Sequence, residues 1–265
     1  MSTVLDLPTS VPDSTNEAVK IAVKQALAEG LVRIDIADII KQLSNPAIHQ
    51  ALRHYMMYSH RSIVMLDERA RRGAQSTYDF IAREMPAATF HLDQFDMLEQ
   101  RIDTVIDGHL LDLGVYKGSS TRRMAKMFPD RRIHGFDSFE GLPEDWSHAA
   151  KGTFGDVKGK LPDVPENVTL YPGWFDATLP VWAVNNPGPI AILRVDCDIY
   201  SSTKTIFDVL GDRLRPGSWI MFDELIGYFG FEEHEHKAFV EWNARAGFRY
   251  EYVAYGMTYT IARLL

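Results

Sequence analysis

Cysteine and long apolar runs are the features this sequence has least of. Cys197 is the one cysteine among 265 residues, so an internal disulfide is excluded, and we expect a cytoplasmic location. No run of about 18 apolar residues occurs, which argues against a membrane span. The opening stretch MSTVLDLPTSVPDSTNE has neither a basic nor an apolar region, so we do not expect a secretory signal.

Positive charge is also scarce. Lys and Arg number 28 against 36 Asp and Glu, a formal net charge of −8. No basic block stands out, so a nucleic-acid partner is not expected. Apolar residues make up 46% of the chain, which is typical of a globular protein with one large domain, or with a domain and a small appendage.

The pattern of elements changes near residue 107. Residues 1–15 are rich in Ser, Thr, Pro and Asp and predict a flexible arm. Residues 16–106 have apolar residues at helical spacing and predict a helical cap or oligomerisation region. From 107 to 265, apolar strands alternate with helices, and two close strands end the chain. This predicts an α/β fold: a Rossmann-like, doubly wound, mostly parallel sheet with a terminal antiparallel hairpin.

The turn after the first predicted strand of this domain reads DLGVYKGSS, residues 112–120. Ligands of such sheets bind at the carboxyl ends of the strands. Gly114 permits a tight turn, and Gly118 permits a ligand to approach the start of the helix. Tyr116 stands where a dinucleotide fingerprint has its middle glycine, and no Walker lysine pattern occurs. The turn therefore favours a nucleoside without phosphates over NAD or FAD.

Two later turns carry groups suited to a nucleoside. Asp137 ends the second strand, 19 residues after Gly118, where an acid can accept hydrogen bonds from a ribose diol. The third strand is followed by GWFDATLP, in which Trp174 and Phe175 can flank an adenine and Asp176 can accept its amino protons. Each feature alone is more often a turn, a loop cap or a core ring, but together and in this order they favour a nucleoside site.

Carboxylates follow the fourth and fifth strands. Asp196 ends one strand, and Asp223 and Glu224 end the next. Neighbouring parallel strands lie about 4.8 Å apart, so these acids would repel one another unless a cation lay between them. Mg²⁺ would meet that need and could also lower the pKa of an acceptor hydroxyl. On spacing alone, acids that cap helices or face solvent are an equal alternative.

Four further residues near these strand ends have simpler interpretations. His234 and His236 could supply a base near neutral pH, but a solvated polar helix face is the more common reason for FEEHEHKAF. Their i, i+2 spacing does not indicate a zinc site. Asp198 is expected to support the start of the next helix, and Cys197 to be a small buried residue.

Several ordered motifs resemble those of class I S-adenosylmethionine-dependent methyltransferases. LLDLGVYKGSS, HGFDSFEGLPEDW, GWFDATLP and RVDCDIYSST lie within 108–265 and look, more narrowly, like the macrocin O-methyltransferase family, which methylates sugar hydroxyls of antibiotics. The resemblance implies S-adenosylmethionine as the cofactor. The expected cofactor-binding residues are Asp112, Gly114, Gly118, Ser119, Ser120, Asp137, Ser138, Trp174, Phe175 and Asp176.

The resemblance also implies Mg²⁺ bound by Asp196, Asp223 and Glu224, with Asp196 as general base, and a homodimer. The family pattern usually has Asp where Glu224 stands. The expected function is O-methylation of a small hydroxylated natural-product or sugar acceptor. The alternatives are a metal-independent enzyme of the same fold that methylates nitrogen or transfers another alkyl group, and a non-catalytic nucleoside-binding protein.

Overall fold

The computed structural model describes Met65, residues 68–146 and residues 149–265. The arm predicted at 1–15, and most of the helical region predicted at 16–106, lie outside the described residues. Met65–Leu265 form a compact unit, which therefore includes the described part of the predicted cap. Among the described helices, none has the length and apolar character that crossing a bilayer requires.

The described residues form an eight-stranded sheet with the order β1-β7-β8-β6-β5-β2-β3-β4. Pairing is parallel except where β8 meets β6 and β7, so the predicted parallel sheet with a terminal antiparallel hairpin is confirmed. The strands are β1 Thr89–Phe90, β2 His109–Leu113, β3 Ile133–Asp137, β4 Val168–Pro172, β5 Ile190–Val195, β6 Trp219–Phe222, β7 Tyr250–Tyr255 and β8 Thr260–Leu264.

The central strands are buried because helices cover both faces of the sheet. Every residue of β5 and β6 is buried, as is typical of parallel strands inside an α/β fold. Alternate side chains enter opposite cores: Leu193 and Ile220 lie in one apolar cluster, and Ile192 and Trp219 lie in the other.

Six α-helices are described. They are α1, which covers 68–84, α2 Gln94–Gln100, α3 Ser119–Met127, α4 Phe175–Asn185, α5 Tyr200–Leu210 and α6 Glu235–Ala246. The sequence did not predict α4 or β1. Pro180 lies inside α4, and a proline within a short segment normally argues against a helix. β1 has two residues only, too few to show an alternating pattern.

The switch point of the sheet lies between β2 and β5. β2 pairs with β3 on one side and with β5 on the other, so the connections leave in opposite directions and open a crevice at the carboxyl ends of the strands. The residues that follow β2, β3, β4, β5 and β6 therefore meet at one edge of the sheet.

Candidate active site

A cavity of about 560 Å³ opens at this edge. One end is lined by residues expected to bind a nucleoside, namely Gly114, Asp137, Ser138, Trp174, Phe175 and Asp176. The other end is lined by four carboxylates, Asp196, Asp198, Asp223 and Glu224. The two groups, which lie up to 110 residues apart in the sequence, thus share one continuous space.

Asp137 is held by the loops that flank it. Its Oδ2 accepts the N–H of Tyr116 at 2.7 Å, and its Oδ1 accepts the N–H of Phe139 at 2.6 Å. Burial raises the pKa of Asp137, although these N–H groups oppose the shift. Each carboxylate oxygen retains acceptor capacity toward the cavity, which suits a ligand with adjacent hydroxyls.

Four residues predicted at the cofactor do not line this cavity. Asp112 is fully buried and lines neither described cavity, because it accepts hydrogen bonds from Thr121 Oγ1 at 2.5 Å and Ser120 Oγ at 3.2 Å. These bonds anchor α3 to β2. Gly118, at φ 76°, forms the N-cap of α3 and also lines neither cavity. Ser119 lies with Ser120 at a second cavity.

This second cavity has a volume of about 450 Å³ and shares Tyr116, Asp196 and Asp223 with the first. Ser119 and Ser120 line it, at the start of α3. Helix N-termini attract anions, so this position is compatible with the predicted contact to the carboxylate of a cofactor.

The guanidinium of Arg194 lies among the carboxylates. This residue was not identified from the sequence. Arg194 is 2% exposed, and its Nη1 donates to Asp112 Oδ1 at 3.0 Å and to Asp196 Oδ2 at 2.8 Å. Its Nη2 donates to Asp223 Oδ1 at 2.7 Å. Burial alone would lower the pKa of Arg194, but the three aspartates raise it. The cation that we expected between the acids is thus in part a side chain of β5.

One guanidinium does not balance all the acids. Burial raises the pKa of Glu224 to about 8, and repulsion by Asp223 and Asp198 contributes. Burial also raises the pKa of Asp198 to about 7, again with Asp223 contributing. In Asp196, burial and Asp223 raise the pKa while Arg194 opposes them. The acidic end of the cavity therefore has an excess of negative charge that favours a further cation or a proton.

Asp198 does not cap the next helix, contrary to our expectation. The strand ends at Val195, and Asp198 has φ 65°, so its side chain lines the cavity. Oε1 of the fully buried Glu235 accepts the N–H of Cys197 at 3.4 Å and that of Asp198 at 3.2 Å. Burial raises the pKa of Glu235 well above its usual value. Glu235 therefore fixes the backbone turn that presents Asp198.

The structure does not bring His234 or His236 to the cavity. His236 packs edge-on against Phe80 at 5.0 Å between ring centroids and contacts Phe231. His234 contacts the ring of Tyr228. Burial lowers the pKa of both histidines. This geometry does not support the catalytic role considered for them. Cys197 is buried as expected, with Sγ 3.3 Å from Thr203 Oγ1.

The side chains at the acidic end are of the kind that binds a hard divalent cation, but their positions in this structure do not form a metal site. Carboxylate oxygens are the ligands that Mg²⁺ prefers. Burial is the main cause of the raised pKa of Glu224, and repulsion by the neighbouring aspartates, which a cation would relieve, adds to it. However, the described part of the chain contains no group of three His, Cys, Asp or Glu side chains placed to hold a metal ion. Asp196 and Asp223 each have one oxygen bonded to Arg194.

Comparison with known proteins agrees with the fold. Residues 111–225 match a family model described as a methyltransferase domain. The chain is 32% identical over 160 residues to 8-demethyl-8-(2,3-dimethoxy-alpha-L-rhamnosyl)-tetracenomycin-C 4'-O-methyltransferase of Streptomyces olivaceus, covering 50% of this chain and 60% of that protein. It is 24% identical over 234 residues to demethyldecarbamoylnovobiocin O-methyltransferase of Streptomyces niveus, covering 76% and 82%.

Among solved structures, CalS11, a calicheamicin methyltransferase, is 20% identical and superposes with a TM-score of 0.52 over 99% of this chain and 98% of that chain. At this identity the likeness concerns the fold. The chain spans 60% of the length of the tetracenomycin relative. With the family match and the sheet order, the resemblance expected from the motifs is confirmed: the chain contains a methyltransferase domain with the class I fold.

Proposed function

We propose that this protein is an S-adenosylmethionine-dependent O-methyltransferase that acts on a hydroxyl of a small natural-product or sugar acceptor. The observation that carries the proposal is the single cavity that joins a nucleoside-type end to an acidic end. The relatives named above, O-methyltransferases of a tetracenomycin glycoside and of a novobiocin precursor, support this class of acceptor.

In this proposal the adenosine lies at the end lined by Asp137, Trp174 and Asp176. Asp137 accepts hydrogen bonds from the ribose hydroxyls. The rings of Trp174 and Phe175 flank the adenine, and Asp176 accepts hydrogen bonds from its amino group. The reactive sulfonium then points toward the carboxylates. The acceptor oxygen attacks the methyl carbon, the carbon–sulfur bond breaks, and S-adenosylhomocysteine leaves, so in-line positioning is a main requirement.

The proton of the acceptor hydroxyl must pass to a base at the acidic end. Asp196, our predicted base, has one oxygen bonded to Arg194. Asp198 lines the cavity without a cationic partner among the described residues, and its pKa of about 7 suits a base near neutral pH. We therefore consider both aspartates. The Asp198→Asn variant distinguishes them: loss of turnover with unchanged affinities for S-adenosylhomocysteine and Mn²⁺ would assign the base to Asp198, and unchanged turnover would leave Asp196 as the base.

We also propose that Mg²⁺ assists the reaction. Asp196, Asp223 and Glu224 would hold it, and the ion would supply a Lewis acid that lowers the pKa of the acceptor hydroxyl. The excess negative charge at this end of the cavity supports the proposal. Methyl transfer that continues at an unchanged rate in EDTA would favour the metal-independent alternative of the same fold.

Two measurements test the proposed function. Isothermal titration with S-adenosylhomocysteine should show binding, and its absence would refute the use of this cofactor. A mass-spectrometric screen of hydroxylated acceptors with S-adenosylmethionine should then yield a product heavier by one methyl group. Binding without any product across sugars, glycosides and phenols would favour the non-catalytic nucleoside-binding alternative.

We further propose a homo-oligomer, with a dimer as the simplest form, and a cytoplasmic location. The oligomer rests on the family resemblance, and the location rests on the single cysteine. Light scattering coupled to size-exclusion chromatography tests the dimer directly, and a mass equal to that of one chain would contradict it.

A further inference from the structure

Gln94, the first residue of α2, completes the hydrogen bonding around Arg194. Its Nε2 donates to Asp223 Oδ1 at 2.6 Å, and its Oε1 accepts from Arg194 Nε at 3.3 Å. The same Asp223 oxygen also accepts from Arg194 Nη2 at 2.7 Å. Two side chains from separate elements therefore fix one oxygen of Asp223, while Oδ2 accepts no hydrogen bond from the described residues.

The Asp196 carboxylate is divided in the same way. Its Oδ2 accepts from Arg194 at 2.8 Å, and its Oδ1 accepts from none of the side chains described. Arg194 is in turn fixed by Asp112 at 3.0 Å, which α3 holds through Thr121. A planar guanidinium with fixed donors imposes direction on the carboxylates it binds.

We propose that Arg194 and Gln94 are positioning residues, which hold one oxygen of Asp196 and of Asp223 so that the other remains available to a ligand at the acidic end of the cavity. This rests on the proposed function in that the ligand is the Mg²⁺ of the preceding section. Residues that orient metal ligands through hydrogen bonds commonly affect metal affinity strongly.

The position of Gln94 is set by the start of its helix. Asp93, the N-cap of α2, accepts the N–H of Phe95 at 2.8 Å, and it also forms an ion pair with Arg123 of α3. Gln94 is suited to the place because its neutral amide can donate to Asp223 and accept from Arg194 at once. A glutamate would repel Asp223, and a lysine would repel Arg194.

The decisive variant is Gln94→Leu, which keeps the approximate size of the side chain and removes both hydrogen bonds. Gln75→Leu is the matched control, since Gln75 Nε2 donates to Asp79 at 3.0 Å on the exposed side of α1. With S-adenosylhomocysteine present, the affinity for Mn²⁺ measured by electron paramagnetic resonance should fall roughly 10- to 100-fold in Gln94→Leu. Neither the affinity for Mn²⁺ nor the affinity for S-adenosylhomocysteine should change in Gln75→Leu.

Arg194→Lys is the second variant. It keeps the charge and loses the fork of donors, so a folded Arg194→Lys protein should also bind Mn²⁺ more weakly. Because a lysine in this buried place can impair folding, Gln94→Leu carries the test if that happens. Loss of thermal stability in Gln94→Leu with unchanged Mn²⁺ affinity would show a merely structural role and overturn the proposal.

A crystal structure of Gln94→Leu separates this proposal from the proposed function. We expect the Asp223 carboxylate to rotate away from the orientation it has beside Arg194. If the unmodified protein binds S-adenosylhomocysteine but no Mn²⁺, the metal part of the proposed function fails, and the orientation of Asp223 still decides the positioning role. An unmoved carboxylate overturns it.

Discussion

Gly114 and Asp196 pack backbone against backbone at the switch point of the sheet. The N–H of Asp196 donates to the carbonyl of Leu113 at 2.8 Å, and a Cβ atom built on Gly114 would lie 1.7 Å from the carbonyl oxygen of Asp196. Gly114 also has φ +106°, which L side chains rarely adopt. The glycine expected to permit a tight turn thus also lets the loop after β2 lie directly beside the acidic end of the cavity.

Gly114→Ala should therefore be strongly destabilising. Backbone strain and overlap with Asp196 together should cost on the order of 3 kcal/mol or more, which corresponds to a fall in Tm of roughly 6 to 12 °C for a unit of this size. Gly152→Ala is the control: Gly152 has φ +84°, but its Cβ would meet nothing within 4 Å. Its cost should be about 1 kcal/mol. Equal losses of Tm in the two variants, measured by differential scanning calorimetry, would contradict the close approach.

Much of the site was predictable because parallel strands bring their carboxyl ends to one edge. Asp137 ends a strand that an apolar run indicates, and Asp176, Asp196 and Asp223 follow such strands. All four line the cavity. The strand boundaries and the terminal hairpin follow from the same runs and from the glycines and prolines between them.

The network around Arg194 was not predictable in the same way. Its partner Asp112 lies on β2 and its partner Asp223 directly follows β6. These two strands are far apart in sequence, and only their pairing on either side of β5 brings the three side chains together. One signal was present, since an arginine inside the apolar run IAILRV needs a buried anionic partner. The place of Asp198 was not predictable either, because a run of apolar residues does not reveal that the strand ends at Val195 or that Asp198 takes a positive φ.

His134 should make folding stability depend on pH below neutrality. It is 6% exposed, and its Nδ1 accepts from Trp182 Nε1 at 3.1 Å and lies 3.0 Å from the Tyr171 hydroxyl. Burial, with His109 and Arg132 contributing, lowers its pKa from 6.5 to about 4. Between these values the unfolded chain binds the proton and the folded protein does not. Stability is therefore complete above about pH 6.5 and falls as the pH decreases toward 4.

Protonation of His134 in the unfolded chain should lower the free energy of unfolding by roughly 1 to 2 kcal/mol at pH 5, relative to pH 7.5. Urea unfolding at pH 7.5 and pH 5 should show that much less loss of stability for His134→Gln, which keeps an acceptor for Trp182 but does not titrate. The difference between the variants isolates His134 from the other groups that titrate in this range. An identical pH dependence of both proteins would refute the assignment.

Asp156 should slow the exchange of cofactor. It lies in the segment formed by 139–146 and 149–160, which we call the strap and which lines the cavity with Leu142 and Phe154. Tyr116 Oη donates to Asp156 Oδ1 at 2.7 Å, and Lys117 Nζ donates to its Oδ2 at 2.8 Å. Both groups come from the loop after β2, so Asp156 links the strap to this loop beside the nucleoside end of the cavity.

Asp156→Asn should release S-adenosylhomocysteine roughly two- to fivefold faster, because exposed ion pairs contribute little each. Stopped-flow measurements should also show that added salt speeds release from the unmodified protein and narrows the difference. Asp208→Asn is a matched control, since Asp208 is also exposed and pairs with two cations, Lys204 and Arg245, on α5 and α6. If Asp208→Asn released S-adenosylhomocysteine as fast as Asp156→Asn does, the strap would not control cofactor exchange.

Asp176 should discriminate adenine from hypoxanthine. It is an exposed residue at the start of α4, it lines the nucleoside end of the cavity, and its carboxylate accepts no hydrogen bond from the described residues. A carboxylate accepts the amino protons of adenine but repels the carbonyl oxygen of hypoxanthine. Hydrogen bonds to charged groups contribute about 1.5 to 3 kcal/mol, so S-adenosylhomocysteine should bind roughly 10- to 100-fold more tightly than S-inosylhomocysteine.

In Asp176→Asn this ratio of affinities should fall toward one, since the amide can donate to the carbonyl oxygen of hypoxanthine, while Tm should not change. Calorimetric titration of both ligands measures the ratio, and a variant that keeps the original preference would place the adenine away from Asp176.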